Sequence, residues 1–442
     1  VTRTLGWFGI VRLGAVQAAL GSIVVLSTST MNRVMVVELA LPAVLPGALV
    51  ALHYGVQVLR PRMGFGSDMG GRRTPWIVGG IAALATGGIG AASGTALMAT
   101  AFVPGLLLAL ASYLLVGLGV GAAGTSLLTL MAARTDERRR APAATILWLM
   151  MIFGIVVTSG VTSILLDPFS PGRLVLVVAC VACVAFVVSV LAVWGVEGPT
   201  SRLHRPLLVQ AEVQPRFTQA LREVWSEPQA RRFAIFVFVS MLAYSAQEVV
   251  LEPFAGAVFR LTPGQTAGLT GLQHVGVLAG MAGVALCCLF AGEFRNRAMR
   301  AWTVGGCLAS TLAMGGMAAA SLVGPAWPLH LSVVLLGAAN GAFAVSAIGA
   351  MMGLASGGRT SREGTRMGLW GAAQAIAFGI GGLFGTGLID VTRLVFAAPA
   401  VAYAAVFIAQ ATVFLVAARL ASGVFGPVAR PSGQAFPVIH AA

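Results

Sequence analysis

Twelve long apolar runs, each ended by a short polar stretch, constrain this chain more than any other feature of its sequence. They fall near residues 13–31, 39–59, 76–98, 104–131, 145–166, 173–195, 232–250, 267–291, 301–323, 328–355, 369–389 and 394–418. A helix rising about 1.5 Å per residue needs roughly 20 apolar residues to cross a hydrocarbon layer about 30 Å thick. Each run is therefore read as one membrane span. Composition agrees, since 58% of the 442 residues are hydrophobic and only 10% are charged, against about 25% charged in a soluble domain. So few charges cannot solvate a water-exposed surface of this size. Soluble enzymes, nucleic-acid binders and disordered scaffolds are excluded, and the expected fold is an all-α membrane protein with 12 transmembrane helices.

The formal charge of +14 comes from Arg alone, because the chain contains no Lys. Its distribution argues against a nucleic-acid partner. The loops after spans 2, 4, 6, 8 and 10 hold twenty Arg, and the loops after odd-numbered spans hold four: Arg33, Arg173, Arg260 and Arg393. Positive charge collects on the cytoplasmic side of a membrane, so both termini and the even loops are placed there. The four lone Arg each have a carboxylate close in sequence: Arg33 with Glu38, Arg173 with Asp167, Arg260 with Glu252 and Arg393 with Asp390. Pairing lowers the cost of a charge at the membrane boundary, and these are read as candidate outward-side pairs. The five Cys lie inside apolar runs. The CxxC spacing of Cys180 and Cys183 lacks partner ligands and reads as helix packing.

An internal repeat divides the chain. Arg134-Thr135 returns as Arg359-Thr360 and Phe153-Gly154-Ile155 as Phe378-Gly379-Ile380, both offset by 225 residues. Leu166-Asp167 returns as Ile389-Asp390, offset by 223. Two six-span halves of like orientation make parallel repeats, as in the major facilitator superfamily. The expected divisions are an N-terminal half at 1–196, a cytoplasmic linker at 197–231, a C-terminal half at 232–418 and a cytoplasmic tail at 419–442. The 56 Gly, against about 31 at average usage, point to close helix packing. The clusters Gly117–Gly121 and Gly379–Gly387 are read as faces for packing, or for approach by a client helix or flat ligand.

Between spans 2 and 3 the chain reads Gly64-Phe-Gly-Ser-Asp68-Met-Gly-Gly71-Arg72-Arg73, which resembles the GxxxDxxGRR signature of that superfamily. The resemblance implies a gating role: Asp68 at a helix N-terminus of the opposite half, where the dipole favours an anion, with Arg72 and Arg73 as anchors. More of the chain, from about residue 10 to 418, resembles the PucC/LhaA family, also called the bacteriochlorophyll delivery family. The blocks that carry it run from Asn32-Arg33 through Glu38 to Pro42-Ala43, from Gln247 through Glu252-Pro253-Phe254, and from Met367 through Trp370 and Gln374 to Phe378. Asn32, Arg33, Glu38, Glu252 and Pro253 are its motif residues here. Glu248 stands where the family pattern suggests Asp, which points to a branch other than the assembly factors for the LH1 and LH2 antennae. The resemblance implies assistance in assembling light-harvesting complexes in the inner, intracytoplasmic membrane of photosynthetic bacteria.

That implication suggests bacteriochlorophyll as a transiently bound cofactor. Partners would be membrane lipid, light-harvesting or reaction-centre polypeptides, or pigment-synthesis enzymes. Neutral imidazole can ligate a pigment metal, so His53 and His274, each amid apolar residues, are candidate pigment contacts. A lone intramembrane His serves equally as a hydrogen-bonded packing residue. Gln374 and Asn340 are candidates for pigment carbonyls, or for one another. No active-site constellation is evident, and a non-enzymatic role is expected. The alternative is a secondary transporter of a small amphipathic solute or drug. Coupled transport calls for an ionisable group in mid-span, and on the spans above Glu248 and Glu252 fall at a span end.

Overall fold

The structure is a computed structural model. It describes residues 5–60, 63, 72–197, 222, 225–290, 295–356, 363–396 and 398–424. Among these there is no strand, and twelve principal helices follow in order. They are α1 Trp7–Glu38, α2 Val44–Leu59, α3 Thr74–Met98, α4 Phe102–Arg134, α5 Glu137–Leu165, α6 Pro171–Val193, α7 Pro228–Phe259, α8 Pro263–Phe290, α9 Arg295–Val323, α10 Leu329–Ser356, α11 Glu363–Val395 and α12 Pro399–Val424. Eleven contain stretches long and apolar enough to cross a membrane, and α2 is a shorter apolar helix. The end of the bundle where α1 begins and α12 finishes is called terminal below, and the opposite end distal.

Helix ends differ from the apolar runs wherever a polar residue sits inside a helix. The run at 13–31 belongs to α1, which continues to Glu38 through two π-helical turns at Leu26–Thr30 and Val34–Glu38. Arg33 is therefore a helix residue with 2% exposure, and not part of a loop. The run at 232–250 belongs to α7, which continues through Pro253 and stops only at Phe259. There Arg260 turns left-handed (φ 57°) and its N–H caps Ala255 O. Glu248 and Glu252 thus stand well inside a helix.

Glycine sets the closest approaches. On α3, Gly80, Gly87 and Gly94 recur every seven residues, two helical turns, and so share one face. A Cβ at these positions would lie 2.6–2.8 Å from the backbone nitrogens of Ala123, Val116 and Ala109 on α4, themselves spaced by seven. The 379–387 cluster on α11 is used in the same way. A Cβ at Gly381 would meet Leu242 O of α7 at 2.5 Å, and one at Gly385 would meet Ala246 Cβ at 3.0 Å. Around Gly387 there is open space. Gly117 and Gly119 of α4 face the backbones of α2 and α3. Most of both clusters is therefore engaged in internal packing.

The halves meet along α1 with α7, α2 with α11, and α5 with α8. A buried apolar cluster fills the N-terminal half around Ile10, Leu13, Ile77, Leu84 and Leu127. Another fills the C-terminal half around Phe254, Phe407 and Phe414. The faces turned away from both clusters carry exposed Leu, Val and Phe, such as Leu312, Leu322 and Phe290, as a lipid-facing surface requires.

Candidate functional site: the junction of the two halves

The five motif residues singled out in the sequence converge where the distal ends of α1 and α7 meet. Pro253 explains part of the arrangement. Lacking an N–H, it cannot bond the carbonyl four residues earlier, which is Val249 O. The Asn32 side chain of α1 donates to that carbonyl across the junction. One residue on, Arg33 pairs with Glu38, and its other guanidinium nitrogen donates to Leu261 O at 2.6 Å. Ser29 Oγ donates to Glu248 O at 3.1 Å. Glu252 is 1% exposed and accepts from Thr270 at 2.8 Å and Thr266 at 3.3 Å, both on α8.

Of the four arginine–carboxylate pairs expected on this side, only Arg33–Glu38 forms. Glu252 turns to the α8 hydroxyls instead of Arg260, and Arg173 donates to Pro168 O at 2.8 Å. Arg393 lies over the Tyr403 ring, 5.7 Å from its centroid. The two aspartates take helix N-termini of the opposite half. Asp390, at the end of α11, accepts from the backbone N–H groups of Ala43 (2.9 Å) and Val44 (2.7 Å) at the start of α2. Asp167, just past α5, accepts from Gly264 N (3.1 Å) and from Thr262 Oγ1 at the start of α8. Unpaired N–H groups and the helix dipole favour an anion there. Since Leu166-Asp167 and Ile389-Asp390 are repeat-related, the two caps are one device used twice.

Beside Arg33 a cavity of about 630 Å³ opens at the distal surface, lined by Glu38, Asp167, Arg260 and Thr262 among others. On the terminal side of these α1–α7 contacts the junction holds more half-buried residues. Tyr54 of α2, Tyr244 and Glu248 of α7, and Phe378 of α11 are all half-buried. The Phe378 ring centroid lies 5.1 Å from that of Tyr54 and 5.9 Å from that of Tyr244. Tyr244 hydrogen-bonds Glu248. These side chains come from both halves and meet at the junction. Sequence reasoning missed Tyr54 and Tyr244, which stand alone in apolar runs. It left Glu248 at a span end.

The four candidate pigment contacts are not brought together. His53 is buried beside Tyr54, its Nε2 3.0 Å from the Gln57 amide and its Nδ1 enclosed without a partner. Gln374 is half-buried one turn from Phe378. His274 Nδ1 lies 2.9 Å from Thr270 O. A carbonyl only accepts, so Nδ1 carries the proton and Nε2 the lone pair. Asn340 is spent inside the C-terminal half, donating to Gln247 Oε1 (2.9 Å) and accepting from Ser310 (3.0 Å).

In the loop signature, Gly64, Asp68 and Gly71 lie outside the described residues. Arg72 is exposed. The backbone N–H groups of Arg73 and Thr74 donate to the Glu197 carboxylate at 2.8–3.0 Å, which caps α3.

Residues 30–428 match the family model described as "PUCC protein". The chain is 54% identical over 423 residues to the "Bacteriochlorophyll synthase 44.5 kDa chain" of Rhodobacter capsulatus, covering 95% of this chain and 96% of that one. It is 30% identical to "Protein PucC" of the same organism, covering 88% of each. Among solved structures it resembles the nucleoside transporter NupG (TM-score 0.67, 15% identity, 95% of this chain and 100% of that one). It also resembles a bacterial homologue of the human lysosomal transporter Spinster in an inward-facing, occupied conformation (TM-score 0.67, 14% identity, 94% and 96%). These likenesses establish the major facilitator fold of a multi-pass membrane protein. The extent of the family match and the identity to its relatives settle the rest: this chain belongs to the PUCC protein family.

Proposed function

We propose that this chain is a membrane assembly factor for bacterial photosynthetic pigment–protein complexes of the light-harvesting kind, and that it handles bacteriochlorophyll during assembly. The observation that carries the reading is its membership of the PUCC family over nearly its whole length, with a relative whose name ties it to bacteriochlorophyll. The geometry is consistent with a non-catalytic role. The motif residues hold two halves of a bundle together, and the aromatic side chains of Tyr54, Tyr244 and Phe378 between the halves suit a flat apolar partner. We place the protein in the inner, intracytoplasmic membrane, with the Arg-rich terminal face in the cytoplasm. Its partners are membrane lipid, bacteriochlorophyll, and light-harvesting or reaction-centre polypeptides or pigment-synthesis enzymes. Among the candidate pigment contacts, His274 keeps a ring nitrogen with a lone pair and Gln374 is half-buried one turn from Phe378. His53 and Asn340 are engaged with Gln57 and with Gln247 and Ser310, and remain candidates on their residue type alone.

Deleting the gene tests the reading. Assembled pigment–protein complex should fall while free pigment is still made, and the purified protein should carry pigment absorption or retain a photosynthetic polypeptide. Normal complex levels in the deletion strain would sink it. The transporter alternative gains one specific support from Glu248, a carboxylate in mid-helix. That alternative requires vesicles containing this protein alone to move a water-soluble solute.

A further inference from the structure

The cavity at the distal surface, about 630 Å³ in volume, is of the size that takes a small organic molecule. Beneath it α1 from Val25 to Val36 and α7 from Val249 to Gly256 are buried throughout, so a ligand enters and leaves on the distal side. Both halves supply apolar wall: Val37 and Phe169 from one, Leu261 and Pro263 from the other.

Four charged residues line the cavity, and three of them are already engaged. Glu38 pairs with Arg33. Asp167 accepts from Gly264 N–H at the start of α8 and from the Thr262 hydroxyl. Arg260 is left over. It is exposed, and its guanidinium has no partner among the described residues, unlike those of Arg33, Arg173 and Arg393. The Nε of Arg33 adds a second donor in the wall without a partner.

The backbone of Arg260 points the same way. At φ 57° it sits in the left-handed region, which suits glycine and strains a residue with a long side chain. Ending α7 there requires a backbone N–H and no guanidinium. A cationic side chain kept at a strained position beside a cavity is the mark of a functional group.

We infer that this cavity binds a ligand carrying a single negative charge on an apolar body, and that Arg260 holds the charged group. A guanidinium offers paired N–H donors that match a carboxylate or a phosphodiester. The carboxylates of Glu38 and Asp167 on the same wall oppose a second negative charge, and the apolar residues receive the body. A soluble organic acid and a lipid headgroup share this chemistry. The inference stands apart from the pigment role, and its test involves no pigment or photosynthetic polypeptide.

The full chain in nanodiscs of zwitterionic phosphatidylcholine is dialysed against 2-naphthoate, with empty nanodiscs as background. Naphthoate should bind saturably, and 2-naphthamide, of the same shape without the charge, about tenfold more weakly. Arg260→Gly should weaken naphthoate by about tenfold and yet melt no lower than the parent, since glycine relieves the left-handed strain. An arginine that served the fold alone would show the opposite pattern. Phe169→Ala should weaken naphthoate while keeping its preference over naphthamide. Arg419→Gln, exposed at the terminal end, should bind as the parent does. Adding phosphatidylglycerol to the disc separates the two sources: competition assigns the site to a lipid headgroup, and its absence to a soluble acid. Absence of saturable naphthoate binding, equal affinity for the amide, or unchanged affinity in Arg260→Gly or Phe169→Ala would overturn the inference. If Arg260→Gly fails to accumulate, Arg260→Gln carries the same test.

Discussion

The distal and terminal halves of the junction are built from the same two helices, α1 and α7, and use them differently. In the distal half every residue of α1 from Val25 to Val36 is buried, as is every residue of α7 from Val249 to Gly256. Polar groups there meet partners across the junction: Asn32 on Val249 O, Arg33 on Leu261 O, Asp390 on α2 and Asp167 on α8. In the terminal half Gln17, Ala18, Met241 and Leu242 are half-exposed, and the rings of Tyr54, Tyr244 and Phe378 meet between the halves. A buried polar group without a partner costs about 1–3 kcal/mol. The distal half lowers that cost by meeting groups between the halves, although Asn32 Oδ1 and Arg33 Nε stay enclosed without a partner, as do Gln17 Oε1 and His53 Nδ1 in the terminal half. The distal polar contacts lock the two halves together, and the terminal half meets through rings.

The largest effect expected from this contrast is all-or-none. In a background with the five native cysteines replaced, a cysteine at Gln17 should react with a membrane-impermeant maleimide from the terminal side. One at Ser27, 1% exposed, should not. Equal labelling at the two sites would erase the distinction between the halves.

Next in size is Glu38→Ala. It leaves the Arg33 guanidinium, whose side chain is 3% exposed, with a backbone carbonyl as its remaining partner across the junction. Breaking a buried pair from one side costs on the order of 3 kcal/mol, somewhat less here because Glu38 is a third exposed. Thermal unfolding in detergent should register the loss. Replacing both partners by apolar residues should recover most of it, and failure to recover would mean that the pair does more than satisfy itself.

Asp390→Ala should cost about 2 kcal/mol by leaving two N–H groups of α2 without their carboxylate. Asp167→Ala should cost about 1, since it frees one N–H and one hydroxyl. Distal crosslinks between α11 and α2 should loosen in the first variant and those between α5 and α8 in the second. Loosening of both by either substitution would show that the caps act as one unit.

The smallest effects separate two glycines of α11. Gly381→Ala forces a methyl against the α7 backbone and should cost about 1–3 kcal/mol. Gly387→Ala meets open space and should be neutral or stabilising by up to about 1 kcal/mol. A severe loss at Gly387 would instead mark that end of the stripe as a contact for another chain.

Much of this was legible in the sequence, and what was not failed for identifiable reasons. Hydropathy alone gave the number of helices and the repeat gave their grouping, because lipid contact and duplication both leave periodic traces. Helix ends were not legible at Arg33, Glu252 and Pro253. Polar residues and proline usually stop a membrane helix, and here each is tolerated because a partner on another helix satisfies it. The ion pairs were misjudged because proximity in sequence is a poor guide where chains cross. The partner of Asp390 is Val44, 346 residues away. Arg33 and Glu38 do pair, since both lie at the end of one helix. The motif residues were recognisable as a set, but their common purpose depended on the missing N–H of Pro253, visible only once α1 was beside it.

The two π-helical turns of α1 have a consequence for the length of the chain as well as its composition. Each widened turn holds one residue more than α-helical winding would, and its width absorbs the roughly 100° that the extra residue would otherwise add. Asn32 lies beyond the first and Glu38 closes the second, so both keep their directions because those turns are wide. Deleting a single residue between 26 and 30 should relax the first turn to ordinary winding and leave Asn32 facing Val249 O. A one-residue deletion scan through α1 should therefore find its best-tolerated positions inside the first wide turn and its most damaging ones in the ordinary winding far from it.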